Sequence, residues 1–193
     1  MMVRTIQKPG RLPPGRFPIV GVMGSGTRSH STRARMVGRW LAGEGVHLLT
    51  GGGSGVMAAV SEAFFKVSDR KGSVIGIIPA GTGGRPRAPA GYPNPWVEIP
   101  IFTHLPLIGA AGGDLQSRNH INILTSRVII ALPGSAGTAS EVALALKYER
   151  PLAAFLKTRQ EIPGLPEYVM VTDEFERIKT LVRSVLNTPA GQT

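Results

Sequence analysis

Short apolar runs alternate with amphipathic stretches along most of the chain. Their length and their β-branched content are typical of buried strands, and the glycine or proline at their ends predicts tight turns. The last run is short enough to be an edge strand. The predicted strands are residues 17–24 (FPIVGVMG), 45–50 (GVHLLT), 73–79 (SVIGIIP), 96–102 (WVEIPIF), 127–133 (RVIIALP), 151–156 (PLAAFL) and 168–171 (YVMV).

The stretches between these runs carry apolar residues at helical spacing. Two of them show a clear stripe, formed by Val56, Ala59, Val60, Ala63 and Phe64 in one helix and by Phe175, Ile178, Val182 and Val185 in another. Thr172 or Asp173 is expected to cap the last helix. The predicted helices are about 32–42, 56–67, 114–126, 138–149 and 172–186.

Strands that alternate with helices predict an α/β fold, doubly wound, with a mainly parallel sheet flanked by helices. We expect a single domain over residues 17–187, a mobile basic arm over 1–16 and a flexible tail over 188–193. The Gly/Pro-rich segment 81–95 is a candidate lid. In such folds ligands bind at the carboxyl ends of the strands, where the strand order reverses.

The composition and the spacing of residues exclude several kinds of functional site. The sequence holds no cysteine, which excludes disulfides, thiolate metal sites and cysteine nucleophiles. Its four histidines lack zinc-ligand spacing, so no metal site is predicted. No apolar run reaches membrane-spanning length, and no secretory signal stands at the start, so we expect a cytoplasmic protein without a membrane partner.

The formal net charge is +10, and residues 1–43 hold eight basic side chains and no acidic one. Such a bias can steer an anionic partner to the protein. A solvated basic tail together with one basic helix face explains the same bias. We favour this second interpretation over nucleic-acid binding.

Three glycine-rich junctions follow predicted strands and should therefore meet at one edge of the sheet. They span residues 21–29, 50–57 and 133–141. Glycine lets backbone amides approach a ligand, and amides at a helix start favour phosphate. Tight turns without a ligand explain each loop singly, but three together favour a phosphate or nucleotide site. Its predicted members are Gly24, Ser25, Gly26, Gly52, Gly53, Pro133, Gly134, Ser135, Gly137 and Thr138.

Known phosphate and nucleophile motifs are absent from these loops. The first is not GxGxxG, none ends in GK[ST], and none contains GxSxG. Glu141 lies one helical turn after Thr138 and should face the same loop. It is either a helix-dipole partner or a functional carboxylate. Arg118, on the preceding predicted helix, is either the compensating cation or one half of a surface salt bridge.

The stretch PGSAGTASE (133–141) resembles the PGGxGTxxE motif of the Lonely Guy (LOG) family, whose members are often labelled lysine decarboxylases. TGGGSGVM (50–57) is similar to that family's GGGxxGLM loop, one residue shorter. LQSRN stands where the family carries MHxRK, with Arg118 fifteen residues before Pro133. The similarity runs roughly from Pro18 to Phe155. It implies a Rossmann-like fold. The lysine-decarboxylase label has no support in the residues, because nothing marks a Schiff-base lysine for PLP.

LOG enzymes are phosphoribohydrolases that cut the N-glycosidic bond of nucleoside 5′-monophosphates, such as AMP or a cytokinin ribotide. The resemblance implies that Gly134, Gly137 and Thr138 hold the 5′-phosphate. It implies that Arg118 and Glu141 are the catalytic pair, with no cofactor. It also implies a homodimer or a higher homo-oligomer.

The sequence departs from the LOG motifs at several positions. Ser135 replaces a glycine, Asn119 replaces a lysine, and Leu115-Gln116 stands in place of Met-His. SRNHINILTS and GTASEVALALK resemble at least as much the molybdenum-cofactor carrier proteins, which bind a pterin phosphate without cleaving a nucleotide. A carrier or nucleotide sensor is therefore the alternative function.

The residues that contact the heterocycle are expected within 81–115. Met57, Arg85 and Arg87 have side chains long enough to reach the pocket. Core packing for Met57 and plain solvation for the two arginines are the simpler interpretations.

Overall fold

Seven parallel strands form one sheet in the computed structural model, which describes residues 17–81 and 87–188. The predicted arm 1–16, Arg85, part of the predicted lid and nearly all of the predicted tail lie outside these residues. The strands are β1 (Ile19–Met23), β2 (His47–Thr50), β3 (Val74–Ile78), β4 (Ile99–Phe102), β5 (Val128–Ala131), β6 (Leu152–Phe155) and β7 (Val171–Thr172). The predicted parallel α/β sheet is confirmed.

The strand order β4-β3-β2-β1-β5-β6-β7 reverses direction at β1. From β1 the chain winds outward to β4, returns to pair β5 with the other side of β1, and winds outward again. The carboxyl ends of β1 and β5 therefore border the crevice where ligands bind in doubly wound folds. The loops after these two strands are the first and third glycine-rich junctions.

Five helices cover the two faces of the sheet. They are α1 (Ser31–Gly43), α2 (Val56–Phe65), α3 (Asn119–Thr125), α4 (Ala136–Lys147) and α5 (Phe175–Asn187). Helices α1, α2 and α5 pack on one face of the sheet around a single apolar cluster. Helices α3 and α4 pack on the other face, over two further clusters. Both predicted stripes, on α2 and α5, contribute to the first of these clusters. None of the helices within 17–81 and 87–188 is long and apolar enough to span a membrane.

Three helix starts differ from the prediction: α4 begins two residues early, at Ala136, and α3 and α5 begin late. Helix α3 begins at Asn119, five residues later than expected, because Asp114 forms a turn instead. The Asp114 carboxylate accepts the Gln116 amide and its carbonyl accepts the Ser117 amide. Such local bonds compete with helix formation. Neither Thr172 nor Asp173 caps α5. The Thr172 hydroxyl accepts the Glu174 amide, and the helix begins at Phe175 without a side-chain cap.

Helices α1 and α2 approach closely at Gly38. A Cβ atom at this position would lie 2.5 Å from the Val60 carbonyl oxygen and 2.9 Å from the Ala63 Cβ. The backbone of α2 therefore occupies the space that a side chain on α1 would need.

We expect Gly38→Ala to lower the free energy of unfolding by up to about 2 kcal/mol, because an overpacking cost of about 1–3 kcal/mol outweighs the gain in helix propensity of about 1 kcal/mol. Urea denaturation followed by circular dichroism measures this change. Gly43→Ala in the same helix is the matched control, since a Cβ there meets nothing within 4 Å. Equal unfolding free energies for the two variants would contradict the close approach.

Candidate functional site

The first and third glycine-rich loops meet at the crevice between β1 and β5. The Ser25 amide donates a 3.0 Å hydrogen bond to the Pro133 carbonyl and so joins the two loops directly. The Ser25 carbonyl in turn accepts the Val56 amide at the start of α2. The starts of α2 and α4 are thereby held at the same edge of the sheet.

A cleft of about 310 Å³ opens at this crevice. Its volume lies at the small end of the range for ligand pockets, which suits a ligand of mononucleotide size. It contains both predicted catalytic residues and part of the predicted phosphate site. The lining residues are Gly24, Gly26, Thr27, Met57, Tyr92, Ile108, Gly109, Arg118, Asn119, Ser135, Gly137, Thr138 and Glu141.

The start of α4 presents free amide groups to the cleft. No side chain caps this helix, and its first backbone bond from a helical amide is that of Ala139 to the Ser135 carbonyl. The amides of residues 135–138 have no acceptor among the residues that the structure describes. Together with the positive end of the helix dipole, they suit an anion.

Gly134 shapes this turn and does not offer its amide to the cleft. Its N–H donates to the Glu161 carbonyl at 3.0 Å. The Thr138 hydroxyl lies where a Gly134 side chain would be, so a residue with a Cβ would displace it. The structure thus brings Ser135, Gly137 and Thr138 together in the cleft, with Pro133 and Gly134 behind them.

The Ser25 side chain satisfies two amides of the first loop. The Ser25 hydroxyl accepts the amides of Thr27 at 3.3 Å and Arg28 at 2.9 Å. Gly24 and Gly26 line the cleft, whereas Ser25 is buried behind them. This loop therefore forms a wall of the cleft beside the free amides at the start of α4.

The second glycine-rich loop is filled by the protein's own side chains. A Cβ at Gly51 would lie 2.5 Å from an Arg118 nitrogen, and one at Gly53 would lie 2.6 Å from the Tyr92 ring. The Ile78 side chain occupies the corresponding space at Gly52, whose amide donates to the Thr50 hydroxyl. Gly52 and Gly53 do not line the cleft. Gly51 and Gly53 instead leave room for Arg118 and Tyr92, two side chains that do line it.

Arg118 is a buried cation at the floor of the cleft. It is 4% exposed, and its guanidinium packs on Gly51. Its Nη1 donates to Asn119 Oδ1 at 2.9 Å, while its Nε has no hydrogen-bond partner. No ion pair between described residues includes it. A buried charge without a counterion is costly, and an anionic ligand would offset that cost.

Within residues 17–81 and 87–188, Glu141 is the only acidic side chain that lines the cleft. It is 8% exposed, and burial raises its pKa to about 7, although Arg118 and then Asn122 act in the opposite direction. Asn122 lies close to the carboxylate, and neither polar atom of its side chain has a hydrogen-bond partner among the described residues. Glu141 can therefore gain or lose a proton near neutral pH.

Several cleft residues escaped sequence reasoning. In the sequence Asn119 is only a departure from a motif, yet its side chain accepts a hydrogen bond from Arg118 and so orients it. Tyr92 and Ile108 fall in segment 81–115, where no motif marked them. Met57 also lines the cleft, whereas Arg87 is exposed and does not. Among residues 17–81 and 87–188, no group of three potential metal ligands comes together.

Two comparisons concern sequence. The sequence model of the SLOG cluster4 family matches residues 17–178 of the chain. No match was found among the curated proteins.

The fold is similar to solved structures of molybdenum-cofactor proteins. The molybdenum cofactor binding protein of the phototrophic bacterium Rippkaea orientalis is 32% identical, with a TM-score of 0.69 over 89% of this chain and 99% of that one. The molybdenum cofactor carrier protein of Chlamydomonas reinhardtii is 30% identical, with a TM-score of 0.67 over 90% and 100%.

A further likeness concerns the fold alone. DNA processing protein A of Helicobacter pylori is 19% identical, with a TM-score of 0.61 over 86% of this chain and 81% of that one.

Proposed function

Because the chain belongs to the SLOG cluster4 family, as its resemblance to the LOG superfamily predicted, we propose that it binds a phosphorylated heterocycle in the cleft between β1 and β5. The first ligand class to test is a pterin phosphate of the kind present in molybdenum cofactor. The similarity to a cofactor binding protein and a cofactor carrier over about nine-tenths of the chain supports this choice.

One observation carries the proposal: free amides at the start of α4 lie in the same cleft as an unpaired buried guanidinium. Residues 135–138 supply the donors and Arg118 supplies the charge. Charge-assisted hydrogen bonds to a phosphate would satisfy both. The proposed phosphate ligands are Ser135, Gly137, Thr138 and Arg118, with Gly24 and Gly26 as the facing wall.

Isothermal titration calorimetry with 6-hydroxymethylpterin phosphate, AMP and inorganic phosphate tests this proposal. We expect saturable binding of at least one phosphorylated heterocycle, more tightly than of phosphate alone. A Thr138→Val variant should bind each ligand more weakly, because it loses the hydroxyl and keeps the shape. Absence of binding to every phosphorylated ligand would contradict the proposal.

A second candidate function is hydrolysis of nucleoside 5′-monophosphates. The observation in its favour is Glu141, a buried carboxyl group with a pKa of about 7 in the same cleft as Arg118. In this reaction the N-glycosidic bond breaks through an oxocarbenium-like sugar, which a carboxylate stabilises while it orients water. The water oxygen bonds to the sugar carbon, and its proton leaves toward the base.

Incubation with AMP or isopentenyladenosine monophosphate, followed by chromatography of the free base, distinguishes the two functions. Release of base that depends on Glu141 would favour the hydrolase, and tight binding without release would favour the carrier. The homodimer implied by the LOG resemblance is a further proposal, which light scattering tests.

A further inference from the structure

We propose that Tyr92, Met57 and Ile108 form the contact surface for the ligand's flat ring, and that Tyr92 is its specificity-determining residue. This inference rests on the proposed function, because it concerns the same cleft. The anion-binding groups recognise only the phosphate. The proposed surface would distinguish a phosphorylated heterocycle from inorganic phosphate.

The cleft is lined by two kinds of surface, one charged or polar and one apolar. Its charged side chains are Arg118 and Glu141, and the amides of α4 add donors beside them. Its large apolar or aromatic side chains are Met57, Tyr92 and Ile108, which come from three different parts of the chain. Polar groups that orient a ligand beside an apolar wall that takes up its surface are typical of small-molecule sites.

Tyr92 is held in the cleft by the second glycine-rich loop. The edge of its ring packs on Gly53, where any Cβ would lie 2.6 Å from the ring. Asn94 fastens the same segment, because its amide donates to the Gly52 carbonyl at 2.7 Å and its side chain donates to the Gly53 carbonyl at 2.9 Å. The ring is therefore positioned before any ligand arrives.

Tyr92 is also electrostatically coupled to the anion site. The Arg118 guanidinium carbon lies 5.9 Å from the centre of the Tyr92 ring, a cation–π distance. A ligand whose phosphate binds Arg118 would bring its attached ring within reach of Tyr92. Ile108 is 45% exposed without a ligand, so its side chain has apolar surface left to bury.

Calorimetry of Tyr92→Ala and Tyr92→Phe with three probes tests the inference. The probes are AMP, 6-hydroxymethylpterin phosphate and inorganic phosphate. Loss of an aromatic stacking partner should weaken whichever ring-bearing probe the wild type binds by about tenfold or more, with phosphate affinity changed less than about twofold. Tyr92→Phe should bind like the wild type, because it keeps the ring.

The outcomes separate this inference from the proposed function. Equal losses for phosphate and for the ring-bearing probes would make Tyr92 a structural residue and overturn the inference alone. So would unchanged affinity in Tyr92→Ala. If the wild-type protein binds none of the probes, the proposed function fails and the inference fails with it. A Gly53→Ala variant, which displaces the ring without removing it, should reproduce the selective loss.

Discussion

Replacing Arg118 with alanine should lower the affinity for a phosphorylated ligand by about a hundredfold or more. Each hydrogen bond to a charged group contributes about 1.5–3 kcal/mol, and the guanidinium offers a phosphate more than one. Since no ion pair among the described residues involves Arg118, the variant breaks no existing salt bridge. We therefore expect it to fold. Calorimetry measures the affinity, and circular dichroism checks the fold.

Three control variants give this prediction its specificity. Arg118→Lys keeps the charge and loses the planar fork, so intermediate affinity is expected. Gly51→Ala leaves Arg118 in the sequence but pushes its guanidinium away, and should weaken binding through position alone. Gly113→Ala, where a Cβ meets nothing within 4 Å, should bind normally. Wild-type affinity in Arg118→Ala would remove the basis of the anion site.

Sequence patterns predicted the sheet and the location of the cleft because both depend on local features. Runs such as 127–133 identify buried strands, and parallel strands place their carboxyl ends at one edge. The convergence of the first and third loops follows from that rule. The presence of Arg118 and Glu141 in one cleft follows from the same rule. Glu141 lies one turn into α4 and Arg118 lies just before α3, and both helices begin at this edge of the sheet.

The role of individual glycines depends on long-range packing, which sequence patterns do not reveal. From composition alone, phosphate-binding backbone amides are predicted equally well in all three loops. In the structure, Gly51 and Gly53 leave room for Arg118 and Tyr92, and Gly134 leaves room for Thr138. A glycine that admits a ligand and a glycine that admits a neighbouring side chain look the same in the sequence. The two kinds of glycine can be told apart only when the side chain or ligand that fills the space is known.

The burial of Glu141 is likewise a tertiary property, and its consequence for stability can be measured. Its pKa in the folded protein is about 7, against an ordinary value of 4.5. Between these values the folded state binds more protons than the unfolded state, so stability falls as the pH rises. The full effect is about 3 kcal/mol above pH 7 and is absent below about pH 4.

We expect Glu141→Gln to remove this pH dependence. At pH 8 the variant should be more stable than the wild type by up to about 3 kcal/mol, and at pH 4 the two should be equally stable. Chemical denaturation at several pH values measures the difference. Glu176→Gln is the control, because Glu176 lies exposed on α5 outside the cleft and the substitution removes the same charge. Parallel pH profiles for wild type and Glu141→Gln would show that the carboxyl group titrates normally.

The same variant separates binding from catalysis. An ionised Glu141 repels a phosphate in the cleft, so wild-type affinity should fall as the pH rises through about 7. Glu141→Gln is neutral at every pH and should bind at pH 8 at least as tightly as the wild type does at pH 6. If the protein is a hydrolase, this more stable variant loses turnover while it keeps its ligand. Loss of turnover with ligand binding kept would identify Glu141 as the catalytic carboxyl group. If wild type and variant both bind without turnover, the result favours the carrier function.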